Sequence, residues 1–274
     1  MSAPVRLQFD DVEVRIDLAR PLCVALEQHF DTRQPRHFDA PPAVSMPLRI
    51  GAFSGDVNSG ASCNCRQVTL VPHCNGTHTE SVGHLTGQAH DVAGVVPTEL
   101  LPALLVSVTP VLATQTLEDS LPLPQEGDLL VTRAALSAAW PTGLPWQPRA
   151  LLIRTLPNGI EKQGRNYAQA RAPYLTRQAV NDLVIRGIEH LVLDVPSLDR
   201  DHDEGRLTGH RLFFGLAAGS QNLAEAHRAH CTITELAWFQ PGLADGTYAL
   251  QLQIPAFGGD AVPSRPILFA LQAP

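Results

Sequence analysis

Apolar and polar positions along the chain follow two different periods. Tyr248 to Ile254 (YALQLQI) alternates residue by residue, the pattern of a strand with one face buried. Val12 to Leu18 alternates less regularly but is rich in branched residues, and it also predicts a strand. Ala150 to Arg154 (ALLIR) and His190 to Val195 (HLVLDV) are continuous apolar runs, as expected of strands covered on both faces. Gln67 to Val71, Asp128 to Val131 and Pro266 to Leu271 predict shorter strands. Helical spacing is clearest after Thr176, a natural cap, where Ala179, Val180, Leu183, Val184 and Ile188 recur on one side and Gly187 acts as the terminator. A second helix is predicted over Thr98 to Leu104, with Thr98 as cap and Pro97 before it. A helix leading into a buried strand argues for an α/β fold. The antiparallel-looking strands at the C-terminus make its β-sheet a mixed one. Ala40 to Ala43 and Gly51 to Gly60 are loops by composition. Pro122 to Gln125 and Pro141 to Pro148 are proline-rich but short, and no repeat or linker divides the chain. The expectation is a single domain over residues 1–274.

Composition narrows the partners. The chain has 274 residues, 44% of them hydrophobic and 17% charged, with a net charge of −7. That acidity argues against nucleic acid, which needs a basic patch. The most apolar stretch, Leu100 to Ala113, is interrupted by Pro102 and Pro110 and is too short to span a bilayer, so no membrane partner is expected. The first residues lack a charged start followed by an apolar core. A soluble, cytoplasmic protein acting on a small molecule is the expectation. The five cysteines are odd in number, and Cys63-Asn64-Cys65 has no second pair to complete a zinc clasp, so ordinary thiols are expected, Cys74 standing apart because it lies within a run of histidines.

The chemistry concentrates in the run from His73 to His84 (HCNGTHTESVGH), which holds three histidines and Glu80. Imidazole nitrogen and carboxylate oxygen are the usual ligands of a borderline divalent metal. His78 and Glu80 are two apart, which places them on one face of an extended strand. Gly76 and Thr77 suit a tight turn before them. A bound metal would lower the pKa of a water, and a histidine left unligated could shuttle its proton. Further ligands must come from the second half, which offers Asp194, Asp199, Asp201, His202, Asp203, Glu204, His210, His227, His230 and Glu235. The Asp199 to Glu204 run is a poor match to a calcium loop and is read as an exposed, solvated turn. His227 and His230 could be neighbours on one helical turn. The residues alone do not choose among these.

Gly76-Thr77-His78, with an acid two positions later and a histidine six positions later, resembles the signature of the cyclase family of metal-dependent hydrolases. That family includes bacterial kynurenine formamidase and isatin hydrolase, and its motif reads His-x-Gly-Thr-His-x-Asp-x-Pro-x-His. Ile16-Asp17-Leu18 is similar to the family's opening strand. Gly187 to Asp199 resembles its helix–strand segment ending in Ser-x-Asp. His210 to Phe214 resembles its second histidine strand, Thr234-Glu235-Leu236 its late glutamate site, and Phe257 to Arg265 its C-terminal loop. The resemblance implies an α/β fold with a barrel-like mixed sheet and flanking helices, of the swivelling β/β/α type. It implies one or two divalent ions, zinc or manganese, held by His73, His78, Glu80, His210 and Glu235. It implies hydrolysis of an amide C–N bond by a metal-bound hydroxide, as in an arylformamidase, with His84 as general acid/base. A homo-oligomer, dimer or tetramer, goes with this reading. A non-catalytic binding protein, a lactone or lactam hydrolase and a dehydratase are the alternatives on the same scaffold. Four departures stand out. Glu80 replaces aspartate, moving the carboxylate by roughly 1.5 Å. Ser81 and Val82 replace the segment with proline. Cys74 occupies the strict register of the first histidine, so that either His73 ligates through a bulge or Cys74 supplies a thiolate, with His73 the favoured choice. Ala217 to His230 looks inserted, and could carry His227 or His230 toward the site. Trp140, Trp146 and Phe53 are candidates to stack on an aromatic substrate, with no motif placing them there.

Overall fold

The computed structural model describes residues 4–30, 33–167 and 170–272. Its frame is an 11-stranded mixed sheet. Ten strands form its path, labelled here β1 (Val5–Phe9), β2 (Val12–Ile16), β3 (His78–Glu80), β4 (Leu101–Val108), β5 (Ala150–Thr155), β6 (His190–Leu193), β7 (Thr232–Glu235), β8 (Gly246–Gln253), β9 (Ala261–Pro263) and β10 (Arg265–Gln272). Their order across the sheet is β1-β2-β10-β8-β4-β5-β6-β7-β3-β9, and a short strand, Leu22–Cys23, pairs with β10. The centre, β4 to β7, is parallel; the flanking pairs are antiparallel.

The central strands are buried on both faces, which is why they read as unbroken apolar runs. Leu104, Val106, Leu151, Ile153, Leu191, Leu193 and Ile233 face one core. Leu101, Ala103, Leu105, Leu152, Val192 and Leu250 alternate with them into the other. Besides a single turn ahead of β3, α1 (Pro72–Asn75), there are α2 (Arg133–Ala139), α3 (Arg177–Ile185) and α4 (Thr208–Phe214), and these three cover the first face. Ala179, Val180 and Leu183 of α3 and Phe213 and Phe214 of α4 are buried there. Thr176 caps α3 by accepting from Ala179 N at 3.1 Å, and Gly187 follows the helix with φ of 74°.

Three sequence expectations are corrected. Thr98 to Leu104 is no helix: Leu101 starts β4, which pairs with β5 on one side and β8 on the other. A short, wholly apolar run fits a buried strand and a helix equally, and neighbours on both edges decided it. The region around His210 is not a strand but α4. The Asp199 carboxylate accepts from the backbone N–H of Gly209 and His210, satisfying free donors of that helix start. The same role withdraws Asp199 from solvent, so the 199–204 run is only partly the exposed turn expected: Asp199 and Asp203 are buried, while His202 and Glu204 are exposed. The strand predicted at Gln67 to Val71 is Arg66–Thr69, in an exposed hairpin with Val44–Pro47.

Candidate metal centre

β3 lies between β7 and β9, and the register sets the site. His78 is opposite Glu235 and Glu80 is opposite Ile233 across the β3–β7 pair. Paired residues share a face, so His78, Glu80 and Glu235 all lie on the face of Ile233, the one covered by helices. Thr79 and Thr234 take the other face and hydrogen-bond to each other at 2.7 Å. Thr77 ties the entry to β3 onto the exit of β7: its hydroxyl donates to Leu236 O at 2.6 Å and accepts from Leu26 N at 2.8 Å. Gly76 has an extended backbone, so the turn does not need a positive φ, and a Cβ there would meet only the movable end of the Gln28 side chain.

The structure brings His73, His78, Glu80, His210 and Glu235 together. The ligand-type atoms of His73, His78 and Glu80, and those of Glu80, His210 and Glu235, form groups lying within 4.8 Å of one another. His210 Nε2 is 3.0 Å from Glu80 Oε1 and 3.5 Å from Glu235 Oε1. His78 Nε2 is 3.4 Å from Glu235 Oε2, and His73 Nδ1 is 3.1 Å from Glu80 Oε2. Yet His78 Nε2 and both carboxylate oxygens of Glu80 are buried without a hydrogen-bond partner among the described residues. These atoms approach one another closely but do not align as donor and acceptor. They aim at a shared point, as ligands of a cation do. Unpaired polar atoms in so dry a place are costly, and a divalent ion is the group their chemistry fits.

The backs of two rings are fixed. His78 Nδ1 is bonded to Gly76 O at 3.0 Å, and His210 Nδ1 to Asp199 Oδ2 at 2.7 Å. Each bond holds the ring so that Nε2 faces the cluster, the arrangement that surrounds most metal-bound histidines. Charge follows. Burial alone would raise the carboxyl of Glu80, but His210 and His73 hold it well below the usual range. Burial also opposes ionisation of Glu235, and the close approach of His210 and His78 outweighs it, taking it to about 2. Burial would likewise discharge His73, but Asp260 and Glu80 outweigh it and raise it to about 10. His210 is raised in the same way by Glu80, Asp199 and Glu235. Protons on these two rings balance the carboxylates where a cation would.

His84 is half-buried at the edge of the cluster, against the His73 and His210 rings, with Nδ1 3.3 Å from Asp260 Oδ2. Cys74 is buried and absent from the convergent groups, and burial together with Glu235 keeps its thiol protonated. His73 reaches the cluster from α1, a single helical turn, rather than from a strand bulge. His227 and His230 are exposed and join no such group among the described residues. The 217–230 segment instead grips the loop after His84, through Gln221 O to Gly87 N and Ala229 O to His90 Nε2. Trp146 packs on Phe9 and Trp140 under Arg186, so neither lines the site, and Phe53 lies in a separate small pair, Arg49–Ile50 with Phe53–Ser54. Two residues near the cluster were given no role by sequence, Asp199 being only one of ten possible ligands and Asp260 part of a loop. Asp199 was hidden in a charged run, its signal being the Ser197-x-Asp199 ending of a buried strand. Asp260 stands in a Gly-Gly-Asp turn just ahead of a strand.

The chain belongs to the putative cyclase family, whose model matches residues 16–200. His210, Glu235 and Asp260 lie beyond that match. Comparison with curated proteins gives no significant match. Among solved structures, the chain is similar to a predicted metal-dependent hydrolase from Bacillus stearothermophilus, at 14% identity and a TM-score of 0.57, covering 91% of this chain and 98% of that one. It is similar to isatin hydrolase A from Labrenzia aggregata, at 14% identity and a TM-score of 0.58, covering 92% and 93%. It is also similar to isatin hydrolase A from Ralstonia solanacearum, at 17% identity and a TM-score of 0.52, covering 91% and 92%. At these identities the likeness establishes the fold: a mixed α/β architecture shared with metal-dependent hydrolases.

Proposed function

We propose that the protein is a metal-dependent hydrolase of an amide C–N bond, linear or cyclic, with an arylformamide or a lactam such as isatin as the substrate class. The observation that carries the reading is the set of buried, unpaired atoms on His78 and Glu80 converging with Glu235 and His210. His78, Glu80, His210 and Glu235, with Nδ1 of His73, would hold a zinc or manganese ion. Such an ion, when bound, supplies Lewis acidity toward a carbonyl and toward water. The remaining work belongs to the side chains. His84, half-buried at the edge of the cluster, touches both its rings and solvent, the position of a group that takes a proton from the nucleophile and returns it to the leaving nitrogen. The buried walls, His78 and Glu80 among them, keep bulk water from the inner face.

The test is metal analysis of the purified protein, joined to a screen of aryl formamides, lactams and lactones. Stoichiometric zinc or manganese and turnover abolished by chelation are expected. His84→Ala keeps the metal and loses about 100- to 10,000-fold in kcat. Protein that takes up no divalent ion would sink the reading, and turnover of lactones alone would move the substrate class.

A further inference from the structure

We infer that Asp260 is the positioning residue of this centre, a single carboxylate oxygen that orients both the ring holding metal and the ring moving protons. The inference rests on the metal-hydrolase reading above and assigns a role to a residue outside its ligand set. Asp260 Oδ2 is 3.0 Å from His73 Nε2 and 3.3 Å from His84 Nδ1. The two rings lie against each other, with centroids 4.2 Å apart and planes inclined at 33°. Both rings donate to the same oxygen.

The pattern at the other histidines explains why. His78 has its outer nitrogen held by a carbonyl and His210 by Asp199, so that each presents its second nitrogen inward. For His73 the outer nitrogen is Nε2, and its holder is Asp260; the inner nitrogen, Nδ1, then faces Glu80 at 3.1 Å. For His84 the same oxygen fixes the proton on Nδ1 and leaves Nε2 as the free base. Asp260 is itself held in place. Its carbonyl accepts from Ser81 N at 2.9 Å, and the next residue, Ala261, pairs with Glu80 across β9 and β3. Gly259 N donates to Asp91 at 2.8 Å, anchoring the turn from the other side. The groups that hold metal and move protons are therefore linked through one atom mounted on the strand beside Glu80.

A double-mutant cycle on zinc affinity tests this without a known substrate. Zinc is titrated calorimetrically into chelator-stripped wild type, Asp260→Asn, His73→Ala and the double variant. Asp260→Asn is expected to weaken zinc by about 10- to 100-fold at unchanged stoichiometry. In the His73→Ala background the same substitution is expected to have little effect, because its route to the metal is gone. Equal weakening in both backgrounds, or none in either, overturns the inference. Loss of one bound zinc from two would make Asp260 a ligand itself and overturns it as well. Asp260→Ser serves as the second variant should the asparagine form fail to fold. Imidazole 15N resonances of the metal-free protein give a readout independent of zinc. Asp260→Asn should move those of His73 and His84 together and leave His190 unchanged. A protein that binds no zinc but shows that paired shift keeps the positioning role and loses the metal reading. A shift in neither ring overturns the positioning role.

Discussion

At the scale of single residues, the site follows from two kinds of spacing. His78 and Glu80 converge because a strand returns to the same face every second residue, a rule written in the local sequence. Their partners, Glu235, His210 and Asp260, are 130 to 180 positions further on, and no local period connects them. Asp199 illustrates the difference best. It sits in a run of charges that looks solvated, yet it caps α4 and bonds His210 Nδ1 at 2.7 Å. Asp199→Asn keeps the shape and removes the charge that polarises the ring. Zinc affinity is expected to fall by about 10- to 100-fold, measured by competition with a chromogenic chelator, with the fold intact by circular dichroism. Unchanged affinity would reduce Asp199 to a helix cap.

At the scale of elements, propensity and pattern succeeded where a segment carries its own punctuation. α3 has Thr176 at its start and Gly187 after its end, and it forms where the spacing put it. The Thr176 side chain is fully buried, accepting from Ala179 N and donating to Glu118 at 2.6 Å. Thr176→Ala removes the cap and one of the donors to Glu118, which keeps Arg133 N, so a loss of about 1 kcal/mol is expected in urea unfolding. A change within error would mean the helix is held by packing alone. The same logic failed for Thr98 to Leu104, where Pro97 and Thr98 resembled a helix start. An apolar run with strands waiting on both edges becomes a strand, because its backbone donors and acceptors are satisfied there without exposing either side.

At the scale of the molecule, burying a sheet on both faces also buries titratable groups away from the metal centre. His190 opens β6, bonds Thr232 Oγ1 at 2.9 Å, and is pushed down by burial from 6.5 to about 4. A native pKa below the unfolded one means that the unfolded chain takes up a proton the native fold refuses. The stability from keeping His190 neutral is complete above pH 6.5 and is lost as pH falls toward 4. The slope contributed is at most about 1.4 kcal/mol per pH unit. His190→Gln should flatten the decline relative to wild type across that window in urea titrations; parallel profiles would contradict it. His37, which feels Glu235, His78 and His73 and so lies beside the centre, is lowered to about 4 mainly by burial and adds in the same direction.

The sequence by itself determined the strands and the helix that carry their own period and caps. It also determined the family, and the local half of the site in the Gly76-Thr77-His78-x-Glu80 run. Tertiary structure decided what depends on neighbours distant in the chain. It made Leu101 to Val108 a strand and put His210 on a helix rather than in a sheet. It brought His73, not Cys74, to the cluster, and it withdrew His227 and His230 from it. It also recruited Asp199 and Asp260 behind the histidines. The reason is common to all of these. Secondary-structure periods are set by backbone geometry within a few residues, whereas a metal centre needs side chains to converge, and convergence is fixed only when β3 is clamped between β7 and β9.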